Sequence, residues 1–147
     1  MNPNTVNLTK EERRKILLEL LQEENRLEDF PYIIEALSPP PDITSVSPMG
    51  AGKGTRVGII GGGAAGLSAA FELRKLGYDI TIFEALENRI GGRIYTHYFD
   101  PYEKYYGELG AMRIPVSHET TWHYIDLFDL KTAPFIQSTE ADTFYIR

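Results

Sequence analysis

Apolar residues recur at helical spacing near the start of the chain and at strand spacing further on, with prolines and glycines between the two. Ile16, Leu17, Leu20, Leu21 and Leu27 stand among charged residues, the pattern of an amphipathic helix. Thr9, followed three residues later by Glu12, makes a capping-box pattern at its start. The pattern predicts a helical arm over residues 1–37. Its polar face mixes Glu with Lys and Arg, which favours packing on the body of the protein over a membrane-surface or partner-binding role.

A Pro/Gly-rich linker, residues 38–54, comes next. Ser38-Pro39-Pro40-Pro41-Asp42 reads as stiff and extended, because each proline fixes φ and biases its predecessor away from helix. Ser47 to Gly54 reads as loose. Within it Gly50-Ala51-Gly52-Lys53-Gly54-Thr55 invites comparison with a phosphate-binding loop, and the comparison fails. Gly54 follows the lysine where Ser or Thr is needed, Ser47 stands where the first glycine belongs, and the segment precedes a strand instead of following one.

From Thr55 the period changes. Arg56 to Ile60 reads as a short apolar strand, Ala64 to Leu76 as a helix closed by Gly77, and Asp79 to Glu84 as a second strand. Strand, helix and strand in so short a span make a βαβ unit, for which parallel strands and a right-handed crossover are expected. Beyond it, Ser117 is placed to cap a helix running through Trp122, Ile125 and Phe128. Tyr95, Tyr98, Phe99, Tyr102, Tyr105 and Tyr106 read as core and hairpin packing.

Composition narrows the chemistry. The 147 residues are 42% hydrophobic and 24% charged, a globular balance. A net charge of −6 argues against a general nucleic-acid binder, but leaves room for an anionic ligand at a helix N-terminus. With no cysteine, disulfides, thiolate metal sites and a cysteine nucleophile are excluded. The polar start lacks a secretory pattern, and no apolar run approaches the roughly 20 residues of a membrane span. A cytoplasmic location and no membrane partner are the expectation. His97, His118 and His123 show no metal-ligand spacing and read as packing or capping residues.

Gly61-Gly62-Gly63-Ala64-Ala65-Gly66 is a G-x-G-x-x-G placed after one strand and at the head of a helix. Gly61 permits the tight turn, Gly63 lets backbone approach a pyrophosphate, and Gly66 lets the helix lie close on the strand. The first helical residues, Ala64 and Ala65, would offer unpaired N–H groups to the phosphates. Glu84, with Ala85 after it, ends the second strand, where a carboxylate can accept both ribose hydroxyls and repel a 2′-phosphate. A dinucleotide, FAD or NAD, is the expected ligand.

Two further motifs separate these. Arg89-Ile90-Gly91-Gly92-Arg93-Ile94-Tyr95-Thr96 resembles the R-x-G-G-R-x-x-T motif of the flavin amine oxidase superfamily. In it Gly91 and Gly92 would let backbone pass close to the cofactor, and Arg93 would supply fixed positive charge. Gly107-Glu108-Leu109-Gly110-Ala111-Met112-Arg113-Ile114-Pro115 resembles the L-G-A-M-R-x-P segment of the L-amino-acid oxidases in that superfamily. The resemblance covers about residues 55 to 147. It implies FAD as cofactor, with Gly110, Ala111 and Met112 along the isoalloxazine. It also implies Arg113 as both a cofactor neighbour and the anchor of the substrate carboxylate, a task suited to a planar guanidinium.

The expected fold class is thus α/β, a Rossmann-like FAD-binding βαβ unit with an incomplete sheet, preceded by the helical arm. Residues 55–147 would be the N-terminal portion of the FAD-binding domain, truncated at the C-terminus, where Thr143 to Arg147 reads as a strand in mid-sheet. The resemblance implies oxidation of an L-amino acid by oxygen to a 2-oxo acid, ammonia and hydrogen peroxide, with no residue of this chain catalytic and the chain inactive until completed. Association with a complementary C-terminal chain is one route to completion. A primary amine or polyamine oxidase, or a non-catalytic FAD-binding fragment, is the alternative.

Overall fold

The structure is a computed structural model that describes residues 7–135, so the strand expected at Thr143 to Arg147 lies outside the described residues. It contains α1 (Lys10–Glu23), a 3-10 turn (Leu27–Asp29), α2 (Phe30–Leu37), α3 (Ile43–Val46), β1 (Arg56–Ile60), α4 (Ala64–Lys75), β2 (Asp79–Phe83), β3 (Thr96–Tyr98), β4 (Tyr106–Glu108) and α5 (Glu119–Leu127). Contacts divide it into two units. One joins the residues up to Pro39 with those from Arg113 onward, and the other is Pro40–Met112.

In the first unit α1 begins as its sequence predicts. The Thr9 hydroxyl accepts from Glu12 N–H at 3.2 Å, and the Glu12 carboxylate accepts from Thr9 N–H at 2.7 Å. Those bonds, led by the Thr9 backbone N–H, hold the Glu12 carboxyl below its usual range. The arm is then broken: Asn25 turns at φ 54°, and Pro31 stands in the first turn of α2, where its missing N–H costs no helical bond. Only part of the expected apolar stripe is covered. Leu17 and Leu21, one turn apart on α1, are buried, whereas Leu20 on the flank of that stripe and Leu27 beyond the break are exposed.

Trp122 and Ile125 of α5 complete this small core, and α2 packs on both α1 and α5. Charged groups link α1 to α5 directly. Arg13, only 4% exposed, donates from Nη2 to Asp126 at 2.7 Å and lies 4.6 Å over the Trp122 ring. Glu119, 6% exposed, accepts from Arg14 Nε at 2.5 Å and Nη2 at 3.0 Å, and from the Ser38 hydroxyl at 3.2 Å. Asn7 ties down the far side: its amide donates to Leu130 O at 2.7 Å and accepts from Thr132 N–H at 3.0 Å.

The start of α5 departs from expectation. His118 takes the cap position with no side-chain cap bond, and Ser117 contributes only its carbonyl, which accepts from Glu119 N–H at 2.8 Å. Phe128 is the residue just past the helix.

In the second unit β1 and β2 pair in parallel across α4, with Val57 opposite Ile80 and Ile59 opposite Ile82. Helix α4 packs on both strands and ends at Leu76, after which Gly77 turns at φ +84°. Ile60 and Phe83, paired at the strand ends, are 93% and 60% exposed. Residues of the 38–54 segment make specific contacts. Asp42 caps the one-turn α3 and binds Lys75 of α4 at 3.1 Å, and Gly52 N–H donates to Leu76 O at 2.9 Å. At Gly52 a Cβ would fall 2.4 Å from the Tyr78 ring, so this glycine serves packing.

Strands β3 and β4 form an antiparallel hairpin with Thr96 opposite Glu108. Its aromatic residues pair across the ribbon, as Tyr98 does with Tyr106 at 6.2 Å, but they do not form a core. Tyr102 is 88% exposed, and Tyr95, Tyr98, Phe99, Tyr105 and Tyr106 are exposed too, because both faces of a lone two-stranded ribbon are open among the described residues.

The Arg14 guanidinium, by hydrogen bonding, holds the Glu119 carboxyl below its ordinary range. A carboxyl lowered on folding stabilises above its unfolded pKa, and that contribution is lost as the pH falls through the lowered folded value. Glu119→Gln should therefore flatten the acid limb of stability measured by urea unfolding. It should cost about 1–2 kcal/mol at neutral pH, the low end for a charged hydrogen bond because Arg14 reaches solvent. An unchanged acid limb would remove this pair from the account.

Candidate functional site

Helix α4 starts at a turn whose shape depends on close backbone approach. Gly61 leaves β1 at φ +99° and donates its N–H to Phe83 O at 2.7 Å, closing the ends of both strands. A Cβ on Gly66 would lie 2.0 Å from Gly61 O and 3.2 Å from the Ile59 side chain. Only hydrogen fits there, so the helix lies directly on the turn. Gly63 is the N-cap, and no side chain caps the helix. The N–H groups at its first turn, which include Ala64 and Ala65, thus form an end suited to an anion. Gly63 itself is less confined, its nearest obstacle being Gly92 Cα at 3.9 Å.

Glu84 stands one residue past β2 and turns its carboxylate onto this loop. Oε2 accepts from Gly62 N–H at 2.7 Å and Oε1 from Leu86 N–H at 3.0 Å. The Leu86 and Gly62 N–H groups, with that of Ala85 and the charge of Arg89, hold the carboxyl below its usual range. A carboxylate has about four lone-pair sites, so each oxygen keeps room for a further donor such as a hydroxyl.

The second glycine pair lies against the first turn. Gly91 N–H donates to Gly62 O at 2.8 Å, and Gly63 and Gly91 make an isolated parallel bridge. Gly91 and Gly92 have φ +106° and +59°, the region that favours glycine. Arg89 reaches back to donate from Nη1 to Gly92 O at 2.9 Å, with its guanidinium 4.8 Å over the Tyr95 ring. Sequence reasoning passed over Arg89 as a site residue, although a cation ahead of a glycine doublet was the available signal.

The third segment reaches this loop through the hairpin. Beyond the paired strands the ladder continues, with Leu109 N–H on Tyr95 O at 2.9 Å and Ala111 N–H on Arg93 O at 3.2 Å. A Cβ on Gly110 would lie 1.9 Å from Arg93 O, so a glycine is required. Gly61, Gly63, Ala64, Ala65, Gly66, Glu84, Ala85, Gly91, Gly92, Arg93, Gly110, Ala111 and Met112 thus all fall in the second unit. Arg113 opens the first unit's second segment, exposed, with its guanidinium 5.1 Å over the Phe135 ring.

Residues 64–147 match the model of a family described as flavin containing amine oxidoreductase. The chain belongs to that family. It is 42% identical over 92 residues to an L-amino-acid oxidase of Crotalus adamanteus, an alignment covering 63% of this chain and 17% of that protein. It is similarly 42% identical over 92 residues to the L-amino-acid oxidase BmooLAAO-I of Bothrops moojeni, covering 63% and 18%. It is 43% identical over 89 residues to an L-amino-acid oxidase of Notechis scutatus scutatus, covering 60% and 17%. The chain thus spans less than a fifth of the length of these relatives. Membership in the flavin containing amine oxidoreductases makes the chain part of an oxidoreductase family and its cofactor class a flavin. The uncapped helix end and glycine-lined turn fit such a group. No helix among the described residues is long and apolar enough to cross a membrane.

The two glycines of the fingerprint should respond differently to a methyl group. Gly66→Ala gains about 1 kcal/mol of helix propensity, but its Cβ meets fixed backbone. It should lower the unfolding free energy measured in urea by more than the roughly 1–3 kcal/mol of ordinary overpacking. Gly63→Ala should unfold close to wild type. Equal midpoints for the two variants would refute the close approach.

Proposed function

We propose that residues 55–147 are the N-terminal portion of a Rossmann-like FAD-binding domain, following a helical arm (1–37) and a linker (38–54). The whole would be an oxidoreductase that converts an L-amino acid, oxygen and water to a 2-oxo acid, ammonia and hydrogen peroxide, the amino acid's two electrons reducing oxygen by way of the flavin and water hydrolysing the imine. The observation that carries the reading is the pair of joined glycine turns. Gly91 bonds to Gly62 beside an uncapped α4, and Glu84 is fixed to the same loop. Gly61, Gly63, Ala64, Ala65 and Gly66 would receive the pyrophosphate, because N–H groups and the positive helix end meet there. Glu84 would accept ribose hydroxyls on its remaining lone pairs, and its charge disfavours a 2′-phosphate.

When bound, the flavin would supply the two-electron acceptor that the side chains of this protein lack. Gly91, Gly92 and Arg93 would bring backbone and positive charge to the cofactor, and Gly110, Ala111 and Met112 would run along its ring. Arg113 would orient the substrate by a bidentate bond to its carboxylate, so that much of its effect would come from positioning. The names of the relatives and the L-G-A-M-R-x-P pattern support an amino acid as substrate.

The chain, purified, mixed with FAD and desalted, should keep the yellow flavin spectrum; a colourless protein would refute autonomous FAD binding. Glu84→Arg should weaken FAD binding, and equal affinity would take the ribose contact away from Glu84. The Glu84 carboxyl is lowered in the folded protein, so its contribution to affinity should hold above the ordinary carboxylate range and fade as acid protonates it. In the complete oxidase, Arg113→Ala should raise KM for an L-amino acid by about tenfold or more with flavin retained. An unchanged KM would end the carboxylate role.

A further inference from the structure

The glycine doublet poses a mechanical problem. Two consecutive residues at positive φ sit where chain entropy is hardest to remove, since glycine has the most conformational freedom to lose. The turn must nevertheless hold one shape, because a Cβ on Gly92 would come within 3.4 Å of Gly63 Cα. Backbone bonds fix only its first half: Gly91 N–H goes to Gly62 O and Gly91 O accepts from Ile94 N–H at 3.0 Å. The carbonyl of Gly92 is held by a side chain, through the 2.9 Å bond from Arg89 Nη1.

We infer that Arg89 is a positioning residue for the cofactor: it holds the Gly92–Arg93 peptide in one orientation by binding the Gly92 carbonyl while its guanidinium rests on Tyr95. A trans peptide is planar, so a fixed Gly92 carbonyl also fixes the opposite direction of the Arg93 N–H. The backbone orientation at Arg93, the second arginine of the motif, is thereby set by the first, four positions earlier. The Tyr95 ring, 4.8 Å away, restrains the guanidinium face and leaves its edge free to donate. Lysine could keep the charge and the bond to the carbonyl, but has no flat face to rest on the ring. Tyr95 is itself fixed, since its carbonyl accepts Leu109 N–H at 2.9 Å and its hydroxyl lies 3.3 Å from His97 Nδ1. One restraint therefore links the doublet to the hairpin that carries Gly110 and Ala111.

The inference rests on the FAD reading for its purpose, but its mechanics can be tested without flavin. In the full chain free of cofactor, Arg89→Ala should speed amide hydrogen exchange at Gly91 and Ile94, the doublet's two bonded amides, about tenfold, the loss of one charge-assisted hydrogen bond. The far-UV circular dichroism and urea midpoint should stay close to wild type. With FAD added, Arg89→Ala should bind about tenfold more weakly and change the shape of the bound flavin's visible band. Arg89→Lys should restore this only in part, and Tyr95→Ala should reproduce the loss while leaving Arg89 in place. If Arg89→Ala fails to fold, Tyr95→Ala and Arg89→Lys carry the comparison. Unchanged exchange in the variants, or full restoration by lysine, overturns the positioning role whatever the wild type does with FAD. Faster exchange in the variants with no flavin retained by wild type overturns autonomous FAD binding, and with it the purpose assigned to Arg89 in this chain, but leaves its mechanics standing.

Discussion

Everything in the second unit is arranged around one contact that admits no atom larger than hydrogen. The chain at Gly66 passes so close to Gly61 O that a Cβ there would lie 2.0 Å away. That proximity lets α4 begin on the end of β1 and leaves its first turn without a side-chain cap. A second contact of the same kind, Gly110 against Arg93 O, brings the hairpin's outgoing chain to the doublet. Between them, the doublet bonds to Gly62 and the Glu84 carboxylate closes the same turn. The site is thus assembled chiefly from backbone, with glycines chosen for what they leave out.

That dependence explains which parts were legible in the sequence. The boundaries of β1 and α4 were read to within a residue, since apolar strand, glycine turn and helix each carry a local signal. Glu84 was read as the last residue of β2 and stands one residue past it, but its bonds to Gly62 and Leu86 depend on a fold in three dimensions. The role of Arg89 was missed because its partner is a carbonyl, and backbone acceptors leave no mark in a residue pattern. Ser117 misled for a related reason: a good cap residue near a helix start is a local preference, and here the chain entered one residue later. Leu20 and Leu27 were read as part of an amphipathic stripe and the hairpin aromatics as core and hairpin packing, but which of them is covered depends on long-range contacts that local period does not record. The grouping of residues from Arg113 onward with the N-terminal arm rests on long-range pairs such as Arg14 with Glu119, which no window of sequence contains.

The two units are also held by different physics. The second relies on strand pairing, a covered sheet face and steric fit at glycines. The first has a small apolar centre at Leu17, Leu21, Trp122 and Ile125, supplemented by buried or half-buried charges. Such charges contribute direction more than net energy, because desolvation offsets much of their attraction. Arg13 and Arg14 sit side by side on α1 but choose separate carboxylates on α5, Asp126 and Glu119, which fixes the helix register in a way a greasy contact would not.

Trp122 is the one tryptophan of the chain, and it is buried with its indole N–H donating to Pro115 O at 3.0 Å and Arg13 over its ring. Ultraviolet emission excited at the red edge, beyond tyrosine, therefore comes from the first unit alone, while the glycine-built unit is dark in that channel. A visible chromophore taken up at the glycine turns would report the other unit in its own band. The single tryptophan thus lets loss of order in the first unit be timed by itself, without a signal from the glycine-built unit.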